Sequence, residues 1–116
     1  MAAVLRSPAH RLLSGSLLLL TVTGRRSGRR HTLPVGYARD GDLVYVLVGR
    51  YRAKRWWRNL IEPAPVRVRL RGEEIAGSAQ AFPPGRDADI VAEATEAGLR
   101  APSAEDAVVR ILLRPV

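Results

Sequence analysis

The chain has 116 residues and a mass of 12.7 kDa, which is the size of one small domain and leaves no room for two separate hydrophobic cores. Apolar residues make up 47% of it and charged residues 26%, a composition that excludes an intrinsically disordered chain. There is no cysteine, which excludes disulfides and thiolate chemistry, and two histidines are too few for a histidine-rich metal site.

The charge is distributed unevenly along the chain. Residues 1–72 hold 15 basic and 3 acidic side chains, a net charge of +12, whereas residues 73–116 hold 4 and 8, a net charge of −4. All but one of the basic residues are arginines, whose planar guanidinium binds phosphate or carboxylate through paired hydrogen bonds. This distribution predicts a basic face and an anionic partner: a nucleic acid, an acidic lipid or a phosphorylated small molecule.

The first half of the chain contains three strand candidates. Leu17–Thr23 is a run of apolar and β-branched residues that predicts a buried strand, and Thr32–Arg39 predicts a second. Pro34 within the second strand indicates an edge or a bulge. A hairpin turn at Asp40-Gly41 leads into Leu43–Val48, which is apolar at every position, so both of its faces should be buried.

In the middle of the chain the spacing of the apolar residues changes from that of a strand to that of a helix. In Arg50–Ile61 the large apolar residues lie four apart and most arginines fall on the other side, which predicts a short amphipathic helix that ends before Pro63. The segment Val66–Arg71 then alternates strictly between apolar residues and arginines, the pattern of a strand with one buried face.

The last third predicts two strands with a helix between them. These elements are a strand at Glu74–Phe82, a helix at Asp87–Ala97 that Gly98 ends, and a strand at Ala107–Leu113. The predicted order is therefore β-β-β-α-β-β-α-β. It favours a mainly β (α+β) fold, a small antiparallel barrel of about six strands with two inserted helices, in a single domain over residues 1–116.

Two basic segments are the candidate binding sites. The first is the turn Gly24–Arg30, whose glycines allow amide groups to converge on an anion, with Ser27 as a hydroxyl donor and His31 next to it as a further donor to phosphate. The second is Gly49–Trp57, a basic loop leading into two tryptophans, which could close over a flat anionic ligand. Each has a plainer interpretation: a solvated turn, and tryptophans that pack on the barrel. We expect core packing for at least one of the tryptophans.

No pattern in the sequence supports nucleophilic, metal-assisted or paired-carboxylate catalysis. No catalytic residue is therefore assigned, and an enzyme of this composition would depend on a bound cofactor for its chemistry. The segment Leu12–Val22 resembles a signal peptide, but its apolar run is short and leads into Gly24-Arg25-Arg26 where a cleavage site should be. We therefore expect a cytoplasmic protein without a transmembrane segment.

The block Leu20–Gly28, with Pro34 six residues later, resembles the deazaflavin-dependent nitroreductase family of split β-barrel oxidoreductases, which use coenzyme F420. The resemblance continues through Tyr37–Asp42 and Val44–Val48 to Trp56–Leu60, and it covers roughly residues 17–82. It implies a split barrel in an actinobacterial protein. It also implies hydride transfer from the reduced coenzyme to a nitroaromatic, a quinone or another unsaturated small molecule.

The resemblance also implies a set of cofactor-binding residues. In the family the glycine- and arginine-rich loop holds the phosphate and glutamate tail of the coenzyme, while other segments line the site of the flat ring. The loop residues are Arg25, Arg26, Ser27 and Gly28, with His31 where the family commonly has arginine. The residues implied at or near the ring are Pro34, Val48, Gly49, Arg50 and Trp56, and the basic loop before the tryptophan adds Lys54 and Arg55.

Several alternatives stay open at this point. A related split barrel could bind flavin mononucleotide (FMN), or the protein could carry the cofactor without catalysis, because it lacks the tyrosines found after the equivalent of Phe82 in nitro-reducing members. A single-stranded nucleic-acid-binding module is a further alternative, although no nucleic acid is expected as the partner. A homodimer is another expectation, since small split barrels expose apolar barrel surface.

Overall fold

The structure is a computed structural model that describes residues 17–85 and 87–114. His10, which is one of the two histidines, and residues 12–16 of the signal-like segment lie outside the described residues. Within the described part, no helix is long enough and apolar enough to cross a membrane.

Six antiparallel strands close into a barrel in the order β1-β2-β3-β6-β5-β4. The strands are β1 (Leu17–Thr23), β2 (Arg30–Asp40), β3 (Leu43–Gly49), β4 (Ala64–Leu70), β5 (Glu73–Phe82) and β6 (Asp106–Arg114). Their ends differ from the predicted ends by no more than two residues. The predicted mainly β, antiparallel barrel fold is therefore confirmed.

Along the strands, alternate side chains are apolar and point inward, and they fill the inside of the barrel. On β4 the valines and Leu70 are buried, while Arg67 and Arg69 are exposed, as the sequence pattern predicts. The apolar strand β3 has two buried faces near its middle. Val44 and Val46 lie in the barrel core, whereas Tyr45 points to the other side, into a second apolar cluster. Its continuous apolar sequence thus reflects a core on each side of the sheet.

The second cluster lies beneath the α-helix α1 (Ala88–Glu96). Ile90 and Ala94 of this helix pack against Tyr45 and Val108. The carboxylate of Asp87 accepts a hydrogen bond from the amide of Asp89 (3.0 Å) and caps the start of the helix. Gly98, at φ +109°, ends it, and its amide donates to the carbonyl of Thr95 (3.0 Å).

The first inserted helix was expected over Arg50–Ile61, and this prediction is wrong in its type and length. The segment forms two 3₁₀ helices, Tyr51–Ala53 and Trp56–Leu60, separated by the extended residue Lys54. The Tyr51 carbonyl accepts the amide of Lys54 (3.1 Å), three residues later, as in a 3₁₀ helix, and it also accepts the indole N–H of Trp57 (2.7 Å). The buried tryptophan thus contacts the first 3₁₀ helix from the second.

Strands β2 and β3 pair over only part of their length. Their register runs from Tyr37 opposite Val46 to Asp40 opposite Leu43. In this register the first part of β2, residues 30–36, pairs with β1 alone, and the last three residues of β3 pair with β6 alone. The two strands thus separate towards one end of the barrel, and we call this separation the β2–β3 opening.

Candidate functional site

The turn between β1 and β2 is closed by its own hydrogen bonds. We call Gly24–Arg29 the basic turn. The amide of Gly24 donates to the carbonyl of Arg29 (2.7 Å), and the amide of Gly28 donates to the carbonyl of Gly24 (2.8 Å). A side chain at position 24 would meet the Ser27 hydroxyl at 2.8 Å, and Gly28 has φ +71°. The backbone conformation therefore favours glycine at position 28, whereas a side chain at position 24 would displace the Ser27 hydroxyl.

The basic turn is attached to the second 3₁₀ helix through one side chain. Asn59 accepts a hydrogen bond from the backbone amide of Arg25 (3.1 Å). Its amide nitrogen donates to the carbonyl of Trp56 (3.1 Å) within its own helix. Asn59 thus holds together two segments that are 34 residues apart in the sequence.

A cleft of about 490 Å³ lies between the basic turn and the second 3₁₀ helix. We call it the basic cleft, and its lining residues are Gly24, Arg25, Arg26, Ser27, His31, Arg55, Arg58 and Asn59. The lining carries four guanidinium groups and no carboxylate. Within residues 17–85 and 87–114, none of these four arginines forms an ion pair.

The polar groups of the basic cleft fit an anionic ligand. The Ser27 oxygen accepts the amide of Arg29 (3.1 Å), which leaves its hydroxyl proton for a ligand. Arg58 stacks over the ring of Trp57, with its guanidinium carbon 5.7 Å from the ring centroid. Phosphate and carboxylate groups are the ligands that such a set of donors and positive charges binds best.

The structure brings together five of the residues proposed from the sequence. Arg25, Arg26, Ser27, His31 and Arg55 line the basic cleft. The remaining residues proposed from the sequence are Gly28, Pro34, Val48, Gly49, Arg50, Lys54 and Trp56, none of which lines it.

Four of those remaining residues occupy three places. Gly28 lies within the basic turn itself. Pro34 is exposed on β2 opposite Leu19, in the part of the strand that borders the β2–β3 opening. Lys54 and Trp56 belong to the chain between β3 and the cleft, and Trp56 packs in part against the barrel core.

The last two residues of β3 present no exposed side chain. Val48 is only 1% exposed, because its side chain belongs to the core. Gly49 lies opposite Asp106, and a methyl group at this glycine would be 3.6 Å from the Asp106 carboxylate. Arg50 has φ +53°, so the chain turns sharply as it leaves the strand.

Asp106 fixes the loop that lies beside this strand end. It is a buried carboxylate, 5% exposed, that accepts hydrogen bonds from the amide (2.8 Å) and the hydroxyl (3.1 Å) of Ser103. A longer contact of 3.4 Å joins it to Arg100. The amide hydrogen bond is the largest cause that lowers the pKa of Asp106, which therefore stays ionised despite its burial.

Two residues of the cleft were not proposed from the sequence, Arg58 and Asn59. Both belong to the Trp56–Leu60 motif of the family resemblance, which is the one signal that could have identified them. One of the two tryptophans, Trp57, is buried in the barrel core, as expected. Among the described residues, no group of three or more histidine, aspartate or glutamate side chains could hold a metal ion.

Known proteins with similar structures share the fold at low sequence identity. A putative pyridoxamine 5'-phosphate oxidase from Listeria innocua is 16% identical, with a TM-score of 0.62 over 89% of this chain and 87% of that one. The heme storage protein HutZ from Vibrio cholerae is 15% identical, with a TM-score of 0.58 over 88% and 84% of the two chains. A protein described as an F420 reductase is 19% identical, with a TM-score of 0.52 over 89% and 90%.

These identities show a common fold and nothing more specific. No match is found among curated proteins. The decisive comparison is with protein families, in which residues 5–101 match the family described as F420H(2)-dependent quinone reductase. This match covers more than four fifths of the sequence, and it agrees with the motifs in the basic turn and in Trp56–Leu60. The chain therefore belongs to the F420H(2)-dependent quinone reductase family.

Proposed function

We propose that the protein binds coenzyme F420 and uses its reduced form to reduce a small unsaturated acceptor of the quinone class. The observation that carries the proposal is the basic cleft, in which four guanidinium groups with no acidic partner surround a free hydroxyl donor. The family match supports coenzyme F420 as the cofactor, because the chemistry of the cleft by itself favours an anion without specifying which one.

The anionic part of the coenzyme would lie in the basic cleft. Arg25 and Arg26 on the turn and Arg55 on the facing segment provide the charge on two sides, and Ser27 donates its hydroxyl proton to a phosphate oxygen. His31 provides a further donor at the edge. Because Asn59 fixes the turn before the ligand arrives, little conformational entropy is lost on binding.

The flat ring would lie towards the β2–β3 opening. There the backbone of Val48 and Gly49 and the turn at Arg50 offer hydrogen-bonding groups, while Pro34 and Trp56 provide apolar surface. When bound, the reduced deazaflavin supplies a hydride for the acceptor. The role of the protein is then to position the ring and to keep the charged part of the coenzyme paired.

A fluorescence titration with the oxidised coenzyme tests the proposal. The double variant Arg25→Ala, Arg26→Ala should lose about tenfold or more in affinity, since two charge-assisted contacts disappear from the cleft. Its stability should change little, because exposed turn charges contribute little to folding. The matched control is Arg29→Ala, Arg69→Ala, which removes the same charge outside the cleft and should bind as the wild type does. Equal affinities of all three proteins would contradict the proposal.

The alternatives give different results with the same protein. A yellow preparation that releases flavin on denaturation would favour FMN as the cofactor. Tight binding of reduced F420 without oxidation by any quinone or nitroaromatic compound would identify a carrier. Binding of single-stranded nucleic acid is disfavoured by Trp57, which is 6% exposed and donates its N–H to Tyr51, so it offers no free face for base stacking.

A further inference from the structure

A cleft of about 470 Å³ lies beside the first half of helix α1, between that helix and the loop before β6. We call it the α1 cleft. Its walls are mostly apolar and include Phe82, Ile90 and three prolines, Pro83, Pro84 and Pro102. A cleft of this size with apolar walls and few polar groups is typical of a site for a small ring compound. The sequence analysis did not identify it, because its lining comes from segments spread over residues 51–108.

Two polar side chains of the lining serve the local structure. The carboxylate of Asp87 caps α1 through the amide of Asp89 (3.0 Å). The hydroxyl of Ser103 donates its one proton to Asp106 (3.1 Å), and its oxygen accepts the amide of Glu105 (3.2 Å). The ligand contacts of the α1 cleft must therefore come mainly from its other two charged side chains, Asp106 and Arg52.

Asp106 has one carboxylate oxygen without a partner. Its Oδ2 takes every contact of the side chain, from the amide and the hydroxyl of Ser103 and from the guanidinium of Arg100. No described residue donates to its Oδ1. Asp106 is only 5% exposed, yet no described side-chain atom is both fully buried and without a hydrogen bond, so Oδ1 reaches the surface of the cleft. A carboxylate oxygen in this position is a strong acceptor for an N–H or O–H group of a ligand.

Arg52 supplies a donor to the same cleft. Its Nε donates to the hydroxyl of Tyr51 (3.1 Å), and its guanidinium carbon lies 5.6 Å from the centroid of that ring. In the part of the chain that the structure describes, Arg52 forms no ion pair, and its two terminal nitrogens have no hydrogen bond. These nitrogens suit a carbonyl oxygen. Because two carboxylates and one guanidinium line the cleft, a neutral ligand is favoured over an anionic one.

The α1 cleft meets the proposed ring site at Gly49. This residue of β3 lies opposite Asp106 of β6, and a methyl group on it would be 3.6 Å from Oδ1 itself. Tyr51, which lines the cleft, follows the turn at Arg50, and its amide donates to the carbonyl of Glu105 (3.1 Å). A ligand that reaches Oδ1 is therefore about one strand spacing, roughly 5 Å, from the backbone that the ring is proposed to contact.

We propose that the α1 cleft binds the reducible acceptor, and that Asp106 and Arg52 select a neutral ring compound with an N–H or O–H group next to a carbonyl, such as an aminoquinone. Asp106 accepts the hydrogen bond of the donor group, and Arg52 donates to the carbonyl oxygen. This inference rests on the proposed function and narrows its class of acceptor. A hydride from the reduced coenzyme and one proton from solvent convert such a quinone into its hydroquinone.

The first test compares an aminonaphthoquinone with the methylnaphthoquinone substituted at the same ring position, which has nearly the same shape but no N–H group. Both are titrated into the coenzyme-free protein, and the amide NMR signals of Val91, Ser103 and Ala104 report binding. The wild type should bind the amino compound about tenfold more tightly, because a hydrogen bond to a charged group is gained. Equal affinities, or binding that leaves these three signals unmoved, would overturn the inference.

Asp106→Asn keeps an acceptor for Ser103 but loses the charged oxygen, so it should bind the two compounds about equally. The matched control is Glu105→Gln, which makes the same change of charge at the next residue, outside the cleft lining, and should keep the tenfold preference. A preference that survives in Asp106→Asn would show that Oδ1 does not contact the ligand.

Arg52→Gln should bind both compounds about fivefold more weakly, since both have the carbonyl, and should keep the preference for the amino compound. Arg69→Gln removes an exposed arginine outside the cleft and should bind as the wild type does. Equal affinities of Arg52→Gln and the wild type would contradict the role of Arg52.

The second test measures KM for the two quinones with the reduced coenzyme. The wild type should have a KM about tenfold lower for the amino compound, and Asp106→Asn should lose this difference. An equal KM for both compounds in the wild type would contradict the assignment of the α1 cleft as the acceptor site. If the coenzyme does not bind the wild type at all, the proposed function is wrong, whereas the affinities of the coenzyme-free protein still decide whether the cleft selects such a ring compound.

Discussion

Asn59 joins the two segments of the basic cleft, and its role depends entirely on tertiary structure. The sequence alone predicts the arginines and Ser27 of the turn as candidate binding residues, because charge and glycine spacing are local properties. The importance of Asn59 is not local, since its hydrogen-bond partner Arg25 is 34 residues away. Arg58 was missed for the same reason: only the docking of its helix beside the turn places it in the cleft.

Asn59→Ala should loosen the basic turn without unfolding the barrel. The variant loses the acceptor for the Arg25 amide, so hydrogen exchange at that amide should become faster and the affinity for the coenzyme should fall. Asn59→Asp serves as the control, because a carboxylate keeps the acceptor and should keep the amide protected. Exchange measured by NMR that is equally slow in the wild type and in Asn59→Ala would show that this hydrogen bond does not hold the turn.

Asp106 gives the protein a dependence of stability on pH. The pKa of its carboxyl is lowered in the folded state, mainly by the hydrogen bond from the Ser103 amide. The ordinary value of an aspartate pKa is about 3.9. The stabilisation is therefore fully present above that pH and is lost as the pH falls through the lower, folded-state pKa.

Replacing Asp106 by alanine should lower the free energy of unfolding by about 1–3 kcal/mol at pH 7, because the amide and the hydroxyl of Ser103 lose their charged acceptor. The difference from the wild type should shrink when urea denaturation is repeated near pH 3. Glu105→Ala removes the same charge from the exposed neighbouring residue and should have little effect at either pH. A difference between Asp106→Ala and the wild type that is the same at both pH values would contradict this account.

Among the secondary-structure elements, the six strands and helix α1 follow the predicted pattern, α1 within one residue at each end, whereas the segment Arg50–Ile61 does not. Alternation on β4 and the apolar run on β3 are consequences of burial that the sequence shows directly. The segment Arg50–Ile61 has a helical period, but it forms two shorter and tighter 3₁₀ helices, and the Tyr51 carbonyl accepts both the Lys54 amide and the Trp57 indole. Buried residues three apart, Trp57 and Leu60, fit the 3₁₀ helix that forms.

The pairing of β5 with β6 depends on a glycine that the sequence analysis did not single out. A methyl group at Gly77 would lie 2.8 Å from the backbone oxygen of Leu112 and 3.1 Å from a side-chain carbon of Ile111. Gly77→Ala should therefore lower the free energy of unfolding by about 1–3 kcal/mol, as overpacking does.

Gly49→Ala is the matched control for that change, since its methyl group would meet only the Asp106 carboxylate at an ordinary 3.6 Å. Its effect on urea denaturation should be much smaller. Equal losses of stability in Gly77→Ala and Gly49→Ala would contradict this account, because they would mean that β5 and β6 can move apart to admit the methyl group without lowering the free energy of unfolding.

Across the whole molecule, the uneven charge of the sequence becomes an arrangement in space. The positive half supplies the basic turn, the segment between β3 and β4 and the outer face of β4, whereas the acidic helix α1 packs against β6. Composition predicts an anionic ligand. It does not predict that four arginines line one cleft, because that arrangement depends on the docking of the Trp56–Leu60 helix beside the basic turn.

The outer face also carries exposed apolar side chains. Leu17, Leu19 and Leu112 are each more than 40% exposed. Exposed apolar side chains of this kind are one reason to expect a homodimer, which stays a prediction. Analytical ultracentrifugation would measure the oligomeric state.

The central claim is that the basic cleft holds the anionic part of coenzyme F420. The most direct measurement is a crystal structure of the protein grown with the oxidised coenzyme. We expect the phosphate within hydrogen-bond distance of Arg25, Arg26 or Ser27, and the ring at the β2–β3 opening. A coenzyme bound elsewhere on the protein, with the space between the basic turn and Asn59 filled only by solvent, would contradict the claim.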